Sequence, residues 1–97
     1  MTINQAQLEA RIALLNSYTN NPESTYTQLK DKSIKSNDGN YHWSGAYGGY
    51  ALHQVCNEHG GIIDIFDKGH TFTKGQLYHA VNIFLLGIKT ERDNNAK

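Results

Sequence analysis

His53-x-x-Cys56-x-x-His59 is the most metal-like spacing in this 97-residue chain. Thiolate and imidazole are the ligands that zinc prefers, and a structural zinc site needs four of them. The segment Tyr50 to His59 reads as a helix that Gly60 stops. There, steps of three spread the side chains over roughly 120° of helix surface. Two neighbours could share an ion, and all three could do so only if the helix unwound at its end. His42, His70 or His79 could complete the set. The spacing matches no familiar zinc module, so the expectation is a buried Cys56 with exposed histidines and no metal or cofactor. Cys56 as a nucleophile would need a base and a group to hold an oxyanion. Mid-helix backbone N–H groups are already bonded, so no catalysis is expected from it.

Gly45-x-x-Gly48-Gly49 reads as a loop and lacks the lysine and hydroxyl of a phosphate cradle. A basic cluster, Lys30, Lys32 and Lys35, together with Tyr41, Trp43, Tyr47 and Tyr50, could serve a small nucleic-acid-binding regulator, since bases stack on aromatic rings. A pI near 7.0 lacks the basic excess that dedicated binders carry.

The opposite charge is more concentrated. Residues 36–67 hold Asp38, Glu58, Asp64 and Asp67 with no Lys or Arg, a net of −4, between ends of +1 (residues 1–35) and +3 (residues 68–97). Carboxylates on one face can copy the phosphate charge that a nucleic-acid-binding protein expects, and Trp43 and Tyr47 add apolar anchors of the kind interfaces favour. Only a fold can separate those charges in space.

The elements that must position these groups are legible in part. Thr73-x-x-Gln76 is a capping box, and Leu77, Ala80, Val81, Phe84, Leu85 and Ile88 follow at three- and four-residue steps. They predict a long C-terminal helix over 74–89, with a frayed tail beyond it. Ile83 and Leu86 fall outside the core face, so this helix has a second apolar side to bury. Thr2-x-x-Gln5 predicts a first helix with Leu8, Ile12 and Leu15 inward and Glu9 and Arg11 on the wetter side, ending by Ser17. Asn21-Pro22-Glu23 predicts a short second helix reaching Lys32, with Glu23 facing the positive end of its dipole. Asn37-Asp38-Gly39-Asn40 predicts the turn of a hairpin over 33–44. Ile62 to Phe66, joined through Asp67-Lys68-Gly69 to His70-Thr71-Phe72, predicts a second hairpin over 62–73. The fold class expected is α+β: a small antiparallel sheet packed against helices.

Length and composition suit one domain over residues 1–97. Hydrophobic residues make up 38% and charged residues 19%, an ordinary globular balance rather than that of a disordered tail. A single cysteine excludes an internal disulfide. Met1-Thr2-Ile3-Asn4-Gln5 has neither the basic start nor the apolar run of a signal peptide, and the longest apolar run, Ile83 to Leu86, is too short to span a bilayer. The expectation is a cytoplasmic monomer.

In size and overall character the chain resembles the small anti-CRISPR proteins of bacterial mobile elements and phages, in particular the type I-F inhibitors. The resemblance covers the whole chain and rests on no signature motif. It implies a non-enzymatic inhibitor acting in the host bacterial cell. The partner it implies is the crRNA-guided surveillance complex, bound on its Cas protein subunits at the DNA-binding surface, so that target DNA is blocked. Some members of that group are DNA mimics, which would make Glu58, Asp64 and Asp67 the phosphate-like positions.

Overall fold

The structure is a computed structural model that describes residues 2–46, 48–66 and 71–95. In chain order it holds α1 (Gln5–Tyr18), β1 (Tyr26–Gln28), β2 (Ile34–Ser36), β3 (Tyr41–Ala46), β4 (Gly49–Val55), β5 (Ile62–Asp64) and α2 (Lys74–Asn95). The class is α+β as expected, with two antiparallel sheets: β1-β2, and β3-β4-β5 with β4 central. Both helices pack on the larger sheet, α1 against β3 and α2 against β4, and against each other. Between them lie Leu8, Ile12 and Leu15 of α1, Tyr41 and Leu52 of the sheet, and Leu77, Val81 and Leu85 of α2, with Phe84 and Ile88 half-buried at the margin.

The two helices start at capping boxes. At α2 the Thr73 hydroxyl accepts from the Gln76 backbone N–H at 3.1 Å, and the Gln76 side chain accepts from the Thr73 N–H at 2.9 Å. At α1 the box is Asn4-x-x-Gln7 rather than the Thr2-x-x-Gln5 expected. Starting two residues later puts Ile3 just before the cap and Leu8 at the fourth helical position, the two places of a hydrophobic staple, and both are buried. α2 also runs beyond residue 89, the end expected, to Asn95. Arg92 in its last turn donates to the Tyr18 carbonyl and lies over the Tyr18 ring at 4.8 Å, so the polar tail gains a tertiary anchor.

Four expected elements, two helices and two hairpins, are corrected. Residues 21–32 form no helix, because their early carbonyls bond elsewhere. The Asn40 amide donates to Pro22 and Glu23, the Asn37 amide to Ser24, and the Asn37 backbone to Thr25. Residues 50–59 are strand as far as Val55, then a turn. β4 is the central strand and none of its residues is fully exposed, so it lacks the alternation of a half-exposed strand, and its buried Ala51, Leu52 and Val55 fall at steps that imitate a helix. The hairpins also pair differently. Ile34–Ser36 pairs with Tyr26–Gln28, and Tyr41–Ala46 pairs with Gly49–Val55 through a link that includes Gly48 at φ +76°. Gly45 and Gly49 therefore each sit in a paired strand at the end of a hairpin instead of lying in an open loop. Asp38-Gly39 does turn the chain, with Gly39 at φ +94°, but it joins two different sheets. Ile62–Asp64 is strand and pairs with β4, while Phe72, expected to pair with it, bridges instead to Tyr50 further along the same edge of β4. The turn Asp67-Lys68-Gly69 and His70 lie outside the described residues.

Candidate functional site

A hollow of about 550 Å³ lies along the free edge of β3. One wall is α1, with Glu9, Ala10, Ile12, Ala13 and Asn16; the other is the segment Glu23, Thr25 and Tyr26; Tyr41, His42 and Trp43 form the floor.

Two buried asparagines build it. Strand β3 is an edge strand, and an edge leaves backbone groups without a partner strand. Asn16 of α1, 1% exposed, supplies what a strand would: its amide donates to the Tyr41 carbonyl at 3.0 Å, and its carbonyl accepts from the Tyr41 N–H at 2.7 Å. That clamp fixes α1 beside β3. Asn40, fully buried, donates to the carbonyls of Pro22 at 2.8 Å and Glu23 at 3.1 Å. It thereby holds Glu23 at the opposite wall.

The lining carries one sign of charge. Glu9 and Glu23 both face the hollow and no Lys or Arg lines it. Among the described residues neither glutamate has an ion pair. Glu9 is held by hydrogen bonds instead: the Trp43 indole N–H donates to its Oε1 at 3.3 Å and the Gln5 amide at 3.0 Å. Trp43 is steadied by Tyr50, ring to ring at 5.3 Å, while Tyr26 is 61% exposed on the far wall. His42 is held below its usual 6.5 by burial and, secondarily, by neighbouring His53, so at neutral pH it adds no positive charge. Carboxylates beside aromatic faces, with no local cation, make a receptor for a guanidinium or ammonium group.

Behind the groove a polar row crosses the sheet. His42 stands opposite His53, and His53 opposite Asp64. The rings of His42 and His53 meet edge to face at 5.7 Å, and His53 Nε2 donates to Asp64 Oδ1 at 2.9 Å. In an Asp–His dyad the working nitrogen would be His53 Nδ1. That atom, like His42 Nδ1, is buried with no hydrogen-bond partner, so it presents no surface to a substrate.

The sequence candidates scatter. Asp38 and Glu58 come together on one hollow, beside Lys35 and Pro22. Asp64 lies elsewhere, on β5 against His53. Trp43 lies in the acidic groove, while Asp67 and Tyr47 fall outside the described residues. The His53/Cys56/His59 spacing is dispersed. His53 is on a strand, and Cys56 is exposed rather than buried, just past the end of β4. His59 is in a turn, its Nε2 3.8 Å from Glu58 Oε1. Among the described residues no group of three or more His, Cys, Asp or Glu is arranged to hold a metal ion. Lys30, Lys32 and Lys35 lie in or beside the β1–β2 sheet, all exposed, with Lys32 at φ +70°. No described helix is long and apolar enough to cross a membrane.

Glu9, Glu23, Asn16 and Asn40 are what sequence reasoning missed. Glu9 read as the wet side of a helix and Glu23 as a dipole partner, and nothing local marks a carboxylate that a distant strand will frame. No protein-family model, curated protein or solved structure matches the chain.

Proposed function

We propose that this protein is a non-enzymatic inhibitor that occupies a basic, nucleic-acid-binding surface on a larger bacterial defence complex, of the type I-F CRISPR surveillance kind. The observation that carries this reading is the groove beside β3. Its two glutamates have no cationic neighbour in the lining, and they flank Trp43 and Tyr26. Nucleic-acid channels present arginines and lysines aimed at phosphates, and such side chains match the groove in charge and in apolar stem. Asp38 and Glu58 supply a second negative site, tempered by Lys35. The mode is charge-guided occupation: carboxylates steer the approach and rings hold the contact.

The test uses purified surveillance complex, labelled target duplex and this protein in competition. Stoichiometric displacement of the duplex is the expected result. Unchanged DNA binding at saturating protein rejects the reading. Loss of inhibition by Trp43→Ala, with Glu9→Gln/Glu23→Gln retaining it, would favour an aromatic plug over charge occupation.

A further inference from the structure

We infer that the cleft between α1 and α2, on the other side of α1 from the acidic groove, is a docking site for an acidic amphipathic helix of a partner protein. The cleft, about 400 Å³, is lined by Leu14 and Tyr18 of α1 and Leu85 and Leu86 of α2, with Arg11 and Lys89 at its margins. It also takes in Asn82 and contains no carboxylate.

Its apolar surface is open to water. Leu14 is 42% exposed and Leu86 62%, and Ile83, one turn before Leu86 on α2, is 72% exposed. The core does not need these side chains; it is filled by Leu8, Ile12, Leu15, Leu77, Val81 and Leu85. On α2 the lining residues fall at positions 82, 85, 86 and 89, and on α1 at 11, 14 and 18, so two parallel stripes bound the cleft. Each stripe spans eight residues, seven steps of about 1.5 Å or about 10 Å in all, the length of two helical turns. A helix laid into such a groove anchors apolar side chains at i, i+3 or i+4 and i+7.

The rim decides the sign of the occupant. Arg11 and Lys89 form no ion pair among the described residues. Arg11 is oriented by the Tyr78 hydroxyl, to which it donates at 3.2 Å, and lies over that ring at 5.6 Å, which leaves further guanidinium N–H groups to donate. An occupant with glutamates flanking its leucines meets both cations, whereas a second copy of this cleft would set cation against cation. Nucleic acid would find phosphate partners but a leucine floor where stacking rings are wanted. A lipid surface would meet a concave face.

The experiment uses the full chain and two designed peptides of about 18 residues, long enough to form helix on binding. Both carry leucine at i, i+3, i+4 and i+7, flanked in one by glutamate and in the other by lysine. Fluorescence anisotropy should show the glutamate peptide binding about tenfold or more tightly than the lysine peptide, with an affinity that falls as salt is added. Lys89→Glu should narrow or invert that preference, and Leu86→Glu, at an exposed site, should abolish binding with the circular dichroism unchanged. Equal binding of both peptides, or binding of neither, overturns the proposal. So does a concentration-dependent dimer lost in Leu86→Glu, or binding of a duplex or of anionic vesicles that Leu86→Glu removes. This surface is separate from the acidic groove, so either can fail alone.

Discussion

Asn16 is the residue on which the largest single effect should fall. Its amide closes a two-bond ring with the backbone of Tyr41 across a buried interface. Asn16→Leu keeps the approximate bulk but strands one buried N–H and one buried C=O, each costing about 1–3 kcal/mol. A loss of about 2–4 kcal/mol is expected in chemical denaturation, against less than about 0.5 kcal/mol for exposed Ser17→Ala. His42 carries the expected pH response. Burial lowers its folded-state pKa below the usual 6.5, so the unfolded chain binds more protons over the interval between the two values. Stability should be greatest above about 6.5, fall as the pH drops through that interval, and level off beneath it. Thermal melts of wild type and His42→Gln across pH 5 to 8 check this: the variant should show the shallower slope.

At the scale of elements, Gly87 offers a test with the opposite sign. It sits inside α2, exposed, with open space where a Cβ would be. A mid-helix glycine costs about 0.5–1 kcal/mol relative to alanine, so Gly87→Ala should raise stability by about that amount in equilibrium unfolding. The same helix shows what is legible in sequence. Its start was readable because the capping box is local and its spacing is long and regular; its end was not, because the Arg92–Tyr18 anchor is a contact across 74 positions. β4 reads as a helix because its buried residues, Ala51, Leu52 and Val55, do not alternate along the strand. The segment 21–32 carried a sound helix-start signal, Asn-Pro-Glu, overruled by the amides of Asn37 and Asn40. The acidic groove is the least legible part. Its charges come from α1 and the chain before β1, its rings from β1 and β3, and no stretch of sequence holds them together.

At the scale of the whole molecule, α1 divides two surfaces. Glu9 faces β3 and the acidic groove, whereas Arg11, two residues and about 200° further round the helix, faces α2 and the leucine cleft. The fold thus separates charge within a chain of zero net charge, and only part of that separation follows the acidic middle seen in the sequence. Two oppositely charged faces on one small molecule permit two partners at once, or two contacts with one assembly.

The central claim is that the groove's glutamates grip cations on the partner. The most direct measurement is the affinity of the type I-F surveillance complex for wild type, Glu9→Gln/Glu23→Gln and Glu9→Lys/Glu23→Lys at low and high salt. Wild-type affinity should fall with salt, the neutral pair should weaken binding and lose much of that salt dependence, and the reversed pair should bind at least about tenfold more weakly than wild type. Wild-type affinity in the reversed pair, with its circular dichroism unchanged, would contradict the claim.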